Sequence, residues 1–193
     1  IDAVYSLGAN YNATRQVPIR YCRHRNLIRI KQQNAIEETI TEFINHFNEH
    51  GIEDMAQNVF QNNQRTSTRN GILKAEAVLL FANVLHQHQV ERYADIPLII
   101  ENATFENNIR QIPGQTYGTA LKYFFMLCGD DNLIKPDRMI KRFLGTPINR
   151  NPDTITSTEA QDACERIWAR LENQNVRTIR HLDYLIWNFQ RGQ

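Results

Sequence analysis

The sequence has little of what marks disulfide-framed, metal-cluster or membrane-spanning proteins. Its 193 residues include three cysteines, Cys22, Cys128 and Cys164, an odd number with no CxxC pair. That usage argues against a disulfide framework and against a four-thiolate cluster or zinc ribbon, so a reduced, intracellular setting is expected: cytoplasmic or nucleoid-associated in a bacterium, nuclear in a eukaryote. No apolar run approaches the roughly 20 residues a membrane helix needs, and no charged-then-apolar leader opens the chain, so no membrane partner is expected. The first residue is Ile1 rather than Met, which leads us to expect further residues upstream. A surplus of charge is also missing: 22 Lys and Arg stand against 21 Asp and Glu, a formal charge of +1. Nothing therefore drives the whole chain towards a polyanion, and any nucleic-acid site must be a local patch. Strand patterning is scarce. The single short apolar run bounded by breakers, IPLII at 96–100, has no alternating partner. There is no internal repeat or low-complexity tract.

What the chain does have is helical periodicity on a 41% hydrophobic composition, enough to bury a sizeable core. Ile36, Ile40, Phe43, Ile44 and Phe47 share one helix face that Gly51 should end, and Leu73, Ala77, Leu80, Phe81 and Val84 mark another. Ala160, Ala163, Cys164, Ile167, Trp168 and Leu171 repeat at three and four behind a capping-box pattern of Ser157, Thr158 and Glu159. A last helix carries Ile179, Leu182, Leu185, Ile186 and Phe189. The fold class is predicted to be all-α. Polar loops are expected at 61–71 and 145–157, the second rich enough in Pro and Asn to mark a crossover between subdomains.

Charge is unevenly placed. Between Asp2 and Glu37 there is no acidic residue, while Arg15, Arg20, Arg23, Arg25, Arg29 and Lys31 are interleaved with Tyr11, Tyr21 and His24. Two readings stand side by side: contact with phosphates, or a solvated helix whose charges pair with Glu37, Glu38 and Glu42. A smaller group, Arg65, Arg69 and Lys74, brackets a Ser/Thr/Asn loop at a helix start and is a second candidate phosphate contact. His46, Glu49 and His50 spell HFNEH, the H-x-x-E-H pattern of one metalloprotease group, with two imidazoles at i and i+4. The segment ends at Gly51, however, and no third ligand is evident, so no metal is expected there. His86 and His88 read as surface histidines.

The most informative stretch runs from Ile112 to Phe143, where IPGQTYGTA is followed, after one apolar helical segment, by IKPDRMIKRF. Pro113 and Gly114 make a tight turn before the helical run TALKYFFML, so unpaired backbone N–H groups should face outward at that helix start and grip phosphate without reading sequence. A plain helix-loop-helix connection would look the same. Asp137, following Pro136 and preceding RMIKRFL, is placed to cap the next helix. A carboxylate anchored there is held in its ionised form and can stabilise an oxocarbenium-like transition state or orient a water.

These residues resemble the helix-hairpin-helix DNA glycosylases, the HhH-GPD superfamily, whose hairpin is commonly written L-P-G-[VI]-G-x-x-T-A with an Asp about one helix later. Ile112, Pro113, Gly114, Thr119 and Ala120 match the hairpin, Asp137 falls where the catalytic Asp belongs, and PDRMIKRF looks like the alkylation-repair branch. The resemblance implies two helical subdomains flanking a cleft, bounded here as 1–32 with 146–193 and 33–145 within a single 1–193 unit. It also implies duplex DNA as partner. DNA contacts would come from Gly114, Gln115, Thr116, Tyr117, Gly118, Thr119 and Lys122 of the hairpin region, with Arg65 and Arg69 alongside. Tyr117, Tyr123 and Trp187 are stacking candidates, though core or surface packing is the stronger reading of each.

The departures also carry information. The second hairpin Gly is Thr116, so the turn must be reshaped or Thr116 must cap the helix. Gly118 stands where bifunctional members carry their Schiff-base Lys, which implies a monofunctional enzyme with no lyase step. Cys164 alone occupies the region of the endonuclease III cysteine cluster, so no iron–sulfur centre is implied, though the family's hairpin can hold a monovalent cation. Two further readings stand beside this one: a non-catalytic DNA-binding module on the same scaffold, and a helical protein-interaction domain.

Overall fold

A computed structural model describes residues 1–9, 11–28, 37–171 and 175–192. The protein is all-α: helices dominate, and the described residues contain no strand, only an isolated antiparallel bridge between Arg65 and Leu73. None of the described helices is long and apolar enough to cross a membrane. The chain forms two compact units, Ile1–Gly118 and Thr119–Gln193. This division differs from the expected grouping of 1–32 with 146–193.

The first unit contains α1 (Asp2–Tyr5), α2 (Tyr11–His24), α3 (Ile40–His50), α4 (Ile52–Asp54), α5 (Lys74–Gln87) and α6 (Ala103–Gln111). A reciprocal capping box starts α3: the Glu42 N–H donates to Thr39 Oγ1 at 3.1 Å, and the Thr39 N–H donates to Glu42 Oε2 at 2.7 Å. Gly51 ends it as expected, and Phe43, His46 and Phe47 are its buried face. Ile36, placed on that face by the sequence, lies outside the described residues. After α4 the chain makes a π-helical turn, Met55–Val59, that delivers Phe60 to the interior. The rings of Tyr5, Tyr21 and Phe47 stand 5.5, 5.9 and 5.8 Å from the Phe60 ring. Arg20 Nη1 donates to the Phe60 and Gln61 carbonyls at 3.0 and 3.1 Å, satisfying acceptors where the π turn stops.

Lys74, which the sequence suggested as a phosphate contact, is instead 4% exposed. Its Nζ donates to the Tyr5 and Leu7 carbonyls at 3.0 and 2.7 Å and to Gln64 Oε1 at 3.2 Å. A buried ammonium with all three protons donated is a structural pin, and no proton remains to offer a phosphate. The apolar run at 96–100 is no strand. It belongs to a 3₁₀ turn, Tyr93–Ile99, whose start is set by Asp95 Oδ2 accepting from the Glu91 and Arg92 N–H groups.

The second unit holds α7 (Thr119–Leu127), α8 (Arg138–Gly145), α9 (Ser157–Arg170) and α10 (Ile179–Arg191). Its core joins Ile134, Ile140, Ile155, Ala160, Cys164, Ile179, Leu182 and Ile186. Segment 145–157, expected to cross between subdomains, lies wholly inside this unit. It contains two short 3₁₀ turns, and Ile155 packs with Ile140 and Ala160 on either side of it.

The cap of α9 sits one residue earlier than the sequence suggested. Thr156 Oγ1 accepts from the Glu159 N–H at 3.1 Å, and Glu159 Oε2 accepts from the Thr156 N–H at 2.8 Å. Three hydroxyl residues in a row, Thr156, Ser157 and Thr158, make the register ambiguous in sequence, and the N3 position of Glu159 resolves it. Thr156→Ala is expected to lower stability by about 1 kcal/mol, while Ser157→Ala stays within about 0.5 kcal/mol. Urea denaturation of the two variants checks this; equal losses would move the cap.

Candidate nucleic-acid interface and carboxylate site

The hairpin follows α6 as two consecutive turns. The Gln115 N–H donates to the Ile112 carbonyl and the Gly118 N–H to the Gln115 carbonyl, each at 2.9 Å. Ile112, 5% exposed, anchors the first turn. Gly114 has φ +88°, and a Cβ there would lie 2.5 Å from Cβ of Thr66. Both conformation and contact therefore require glycine. Thr116, at the position of the second family glycine, has no positive φ; the left-handed residue is Gly118, at φ +68°. The turn is thus reshaped, with its second left-handed corner two residues later.

A Cβ at 118 would stand 2.8 Å from Arg110 Nη2, so the flexible end of that side chain would have to shift. Arg110, which sequence reasoning passed over, donates through Nη1 to the Thr116 carbonyl at 3.2 Å. It is a cation fixed against the hairpin by a main-chain contact, visible only once α6 and the turn are placed together.

The proposed DNA contacts divide by exposure. Gly114, Thr116 and Tyr117 are exposed, Tyr117 at 83%, Thr119 and Lys122 are half-buried, and Gly118 is buried. Gln115 is 1% exposed, and neither atom of its amide has a hydrogen-bond partner, so its side chain faces the interior rather than solvent. Because Thr66 lies against Gly114, the loop carrying Arg65 and Arg69 packs beside the first hairpin turn. Arg65 Nη1 donates to the Gly71 carbonyl at 2.7 Å and Thr66 N–H to the Ile72 carbonyl at 2.9 Å, holding that loop closed. Arg69 is exposed.

In the basic segment the two readings divide by residue. Arg25 Nε pairs with Glu38 Oε1 at 2.8 Å, Tyr21 donates to Glu38 Oε2 at 2.8 Å, and Arg20 is engaged with carbonyls, whereas Arg15 and Arg23 are exposed. Arg29 and Lys31 lie outside the described residues. The fold also supplies what HFNEH lacked in sequence: His24, the last residue of α2, stands with His46 and His50.

In the second unit, Asp137 caps α8, Oδ1 accepting from the Met139 and Ile140 N–H groups at 2.8 and 3.4 Å. Lys135 Nζ lies 4.0 Å from Asp137 Oδ2 and 4.3 Å from the centre of the Tyr123 ring. The side chain of Asp137 is 25% exposed, so it is anchored yet reachable. A second carboxyl shares the setting. Asp183 on α10 accepts the Lys135 N–H at 2.9 Å. Burial, reinforced by the negative charge of Asp137, raises Asp183 to about 7, against the opposing pull of the Lys135 N–H, Lys135 and Arg180. Sequence offered no sign of this, since an Asp in a helical run looks solvated until the packing of α10 is known. Trp187, the other stacking candidate of this unit, is covered by the Arg191 guanidinium at 4.5 Å.

The chemistry available is an anchored, partly exposed carboxylate at Asp137 and a carboxyl at Asp183 that holds its proton to near neutrality, with Lys135 meeting the first through its ammonium and the second through its main-chain N–H. Folding raises the Asp183 value, so the folded state binds a proton that the unfolded chain releases. Its stabilising contribution is full below about pH 4 and is lost as pH rises through about 7. His46, pushed down to about 4 by burial, runs the opposite way: its contribution is present above about pH 6.5 and lost towards pH 4. The informative quantity is therefore the stability of the wild type relative to Asp183→Asn. That difference should fall between pH 4 and 7 and level off above; a difference independent of pH would show that Asp183 titrates normally.

A family model matches residues 1–191, and the chain belongs to that family, described as a domain of unknown function (DUF8548). Comparisons with curated proteins and with solved structures found no match.

Proposed function

We propose that this chain is a monofunctional DNA glycosylase of the helix-hairpin-helix superfamily, releasing a damaged or mispaired base from duplex DNA by hydrolysis of its N-glycosidic bond. The observation that carries the reading is Asp137: a carboxylate fixed by two main-chain N–H groups at the start of α8, still 25% exposed, with the hairpin and α7 preceding it along the chain. Gly114 and Gly118 supply the left-handed corners that a tight hairpin needs, and exposed Thr116 and Tyr117 with the fixed Arg110 give that hairpin a polar, cationic surface suited to a phosphate backbone.

In this mechanism the hairpin region and exposed basic residues such as Arg69 hold the backbone, and the target nucleotide rotates out of the stack. A damaged or mispaired base costs less to extrude, which supplies part of the selectivity. As the C1′–N bond breaks, the bonding electrons leave with the base and positive charge grows on the sugar. The Asp137 carboxylate stabilises that charge while water adds to C1′, and the proton that water gives up ends on the departing base. Asp183, pushed up to about 7 mainly by burial, adds little negative charge of its own below that pH. A Schiff-base step has no amine at position 118, where the residue is a glycine in a left-handed conformation that a lysine would adopt only under strain.

The test is base release from duplexes carrying alkylated, deaminated, oxidised or mispaired bases, read as strand cleavage with and without alkali. Release that needs alkali for cleavage and falls by at least about 100-fold in Asp137→Asn is expected, the scale at which losing one transition-state charge contact is felt. Cleavage without alkali would contradict the monofunctional assignment. Intact lesions with persistent duplex binding, its salt slope lowered by about one in Arg69→Gln, would leave a non-catalytic DNA-binding module instead.

A further inference from the structure

Two helices of the first unit end at the same place. His24 is the last residue of α2, and His50 is the last residue of α3 with His46 one turn before it. Their rings stand 5.1 Å (His24 to His46), 5.5 Å (His24 to His50) and 4.4 Å (His46 to His50) apart, and one nitrogen from each lies within 4.8 Å of the others. We propose that His24, His46 and His50 form a three-imidazole site for a divalent transition-metal ion of the zinc class, clipping the C-terminal ends of α2 and α3 together.

Three independent features point to a ligand. First, His46 is 4% exposed and neither of its ring nitrogens has a hydrogen-bond partner. A buried imidazole that donates and accepts nothing is costly, and a metal ion would satisfy its lone pair. Second, His50 is already oriented as a ligand. Its Nδ1 lies 2.8 Å from Asp54 Oδ2, and Asp54 Oδ1 in turn accepts from Asn58 Nδ2. With Nδ1–H donated to a carboxylate, the lone pair sits on Nε2, the carboxylate–histidine–metal arrangement seen at zinc sites. Third, the negative ends of two helix dipoles converge here, which favours a cation.

Imidazole donors suit zinc, copper, nickel and iron rather than magnesium or calcium, and three of them leave one position for water. An open cavity of about 210 Å³ lined by Arg25, Glu42, Asn45, His46 and Glu49 adjoins the buried imidazole. Arg25, which lines that cavity, is paired with Glu38 at 2.8 Å, while Asp54, Glu42 and Glu49 supply negative charge. The nitrogens, within 4.8 Å of one another, must close to the shorter spacing around a common ion, and His24, exposed at the end of α2, is the ligand free to move while Asp54 keeps His50 oriented. The site lies wholly within the first unit and does not depend on the glycosylase reading.

Calorimetric titration of the metal-stripped full chain with zinc chloride, alongside the visible spectrum with cobalt, tests the proposal. One equivalent per chain should bind, cobalt should show the absorption of a tetrahedral nitrogen site, and zinc should raise the melting temperature. His24→Ala removes an exposed ligand without opening the core, and should lose the cobalt spectrum and the melting shift. Asp54→Asn should weaken zinc by about 10- to 100-fold with the fold unchanged. Absence of a one-to-one site, or binding that His24→Ala and Asp54→Asn leave intact, would overturn the proposal.

Discussion

The structure depends on how its helix ends are satisfied. The longest described helices have 14 residues, and a helix of that length has a large share of its backbone groups in the first and last turns, without intrahelical partners. Each end needs a partner from elsewhere in the chain. Thr39, Asn102, Asp137, Thr156 and Thr178 supply them at helix starts through side-chain oxygens. At the other ends, the Lys74 ammonium collects carbonyls at and just past the end of α1, and Arg20 collects those where the π turn stops. These are long-range contacts between polar side chains and main chain, and they give short amphipathic helices a defined place that hydrophobic burial alone would not.

The same constraint explains where the chemically interesting groups lie. A residue that caps a helix is held rigidly, partly desolvated and close to a fixed partial charge, which is what a catalytic carboxylate or a metal ligand requires. Asp137 serves as cap and as the proposed charge stabiliser with one oxygen committed to the backbone, its other oxygen facing Lys135. The histidine cluster uses the opposite pole of two helices. Asp183 shows the complementary case: a carboxyl in the body of α10 rather than at its start, packed inward, and forced towards its neutral form.

Local pattern was readable where one element sufficed to set it. Gly51 closing α3, the apolar faces of α5 and α9, and Asp137 opening α8 follow from periodicity and cap chemistry within a dozen residues. Sequence reading went astray where a second segment decides. Lys74 looked like a surface cation because nothing nearby in sequence indicates that α1 lies over it, and the 3₁₀ turn that takes in most of IPLII is started by Asp95, which the apolar run itself does not reveal. His24 is 22 positions from His46, and Asp183 is 46 from Asp137, so neither pairing has a spacing signature. Thr116 was legible as a departure, but its resolution, a left-handed corner moved to Gly118 beside Arg110, depends on where α6 lies.

The central claim is that Asp137 stabilises positive charge on a deoxyribose ring. The most direct measurement compares the affinity of the chain for a duplex bearing a cationic pyrrolidine abasic analogue with its affinity for one bearing a neutral tetrahydrofuran site. A transition-state mimic should bind tighter by at least about tenfold in the wild type, with the preference abolished in Asp137→Asn. Equal affinity for the two duplexes, or a preference that survives the substitution, would contradict the account and reduce Asp137 to a helix cap.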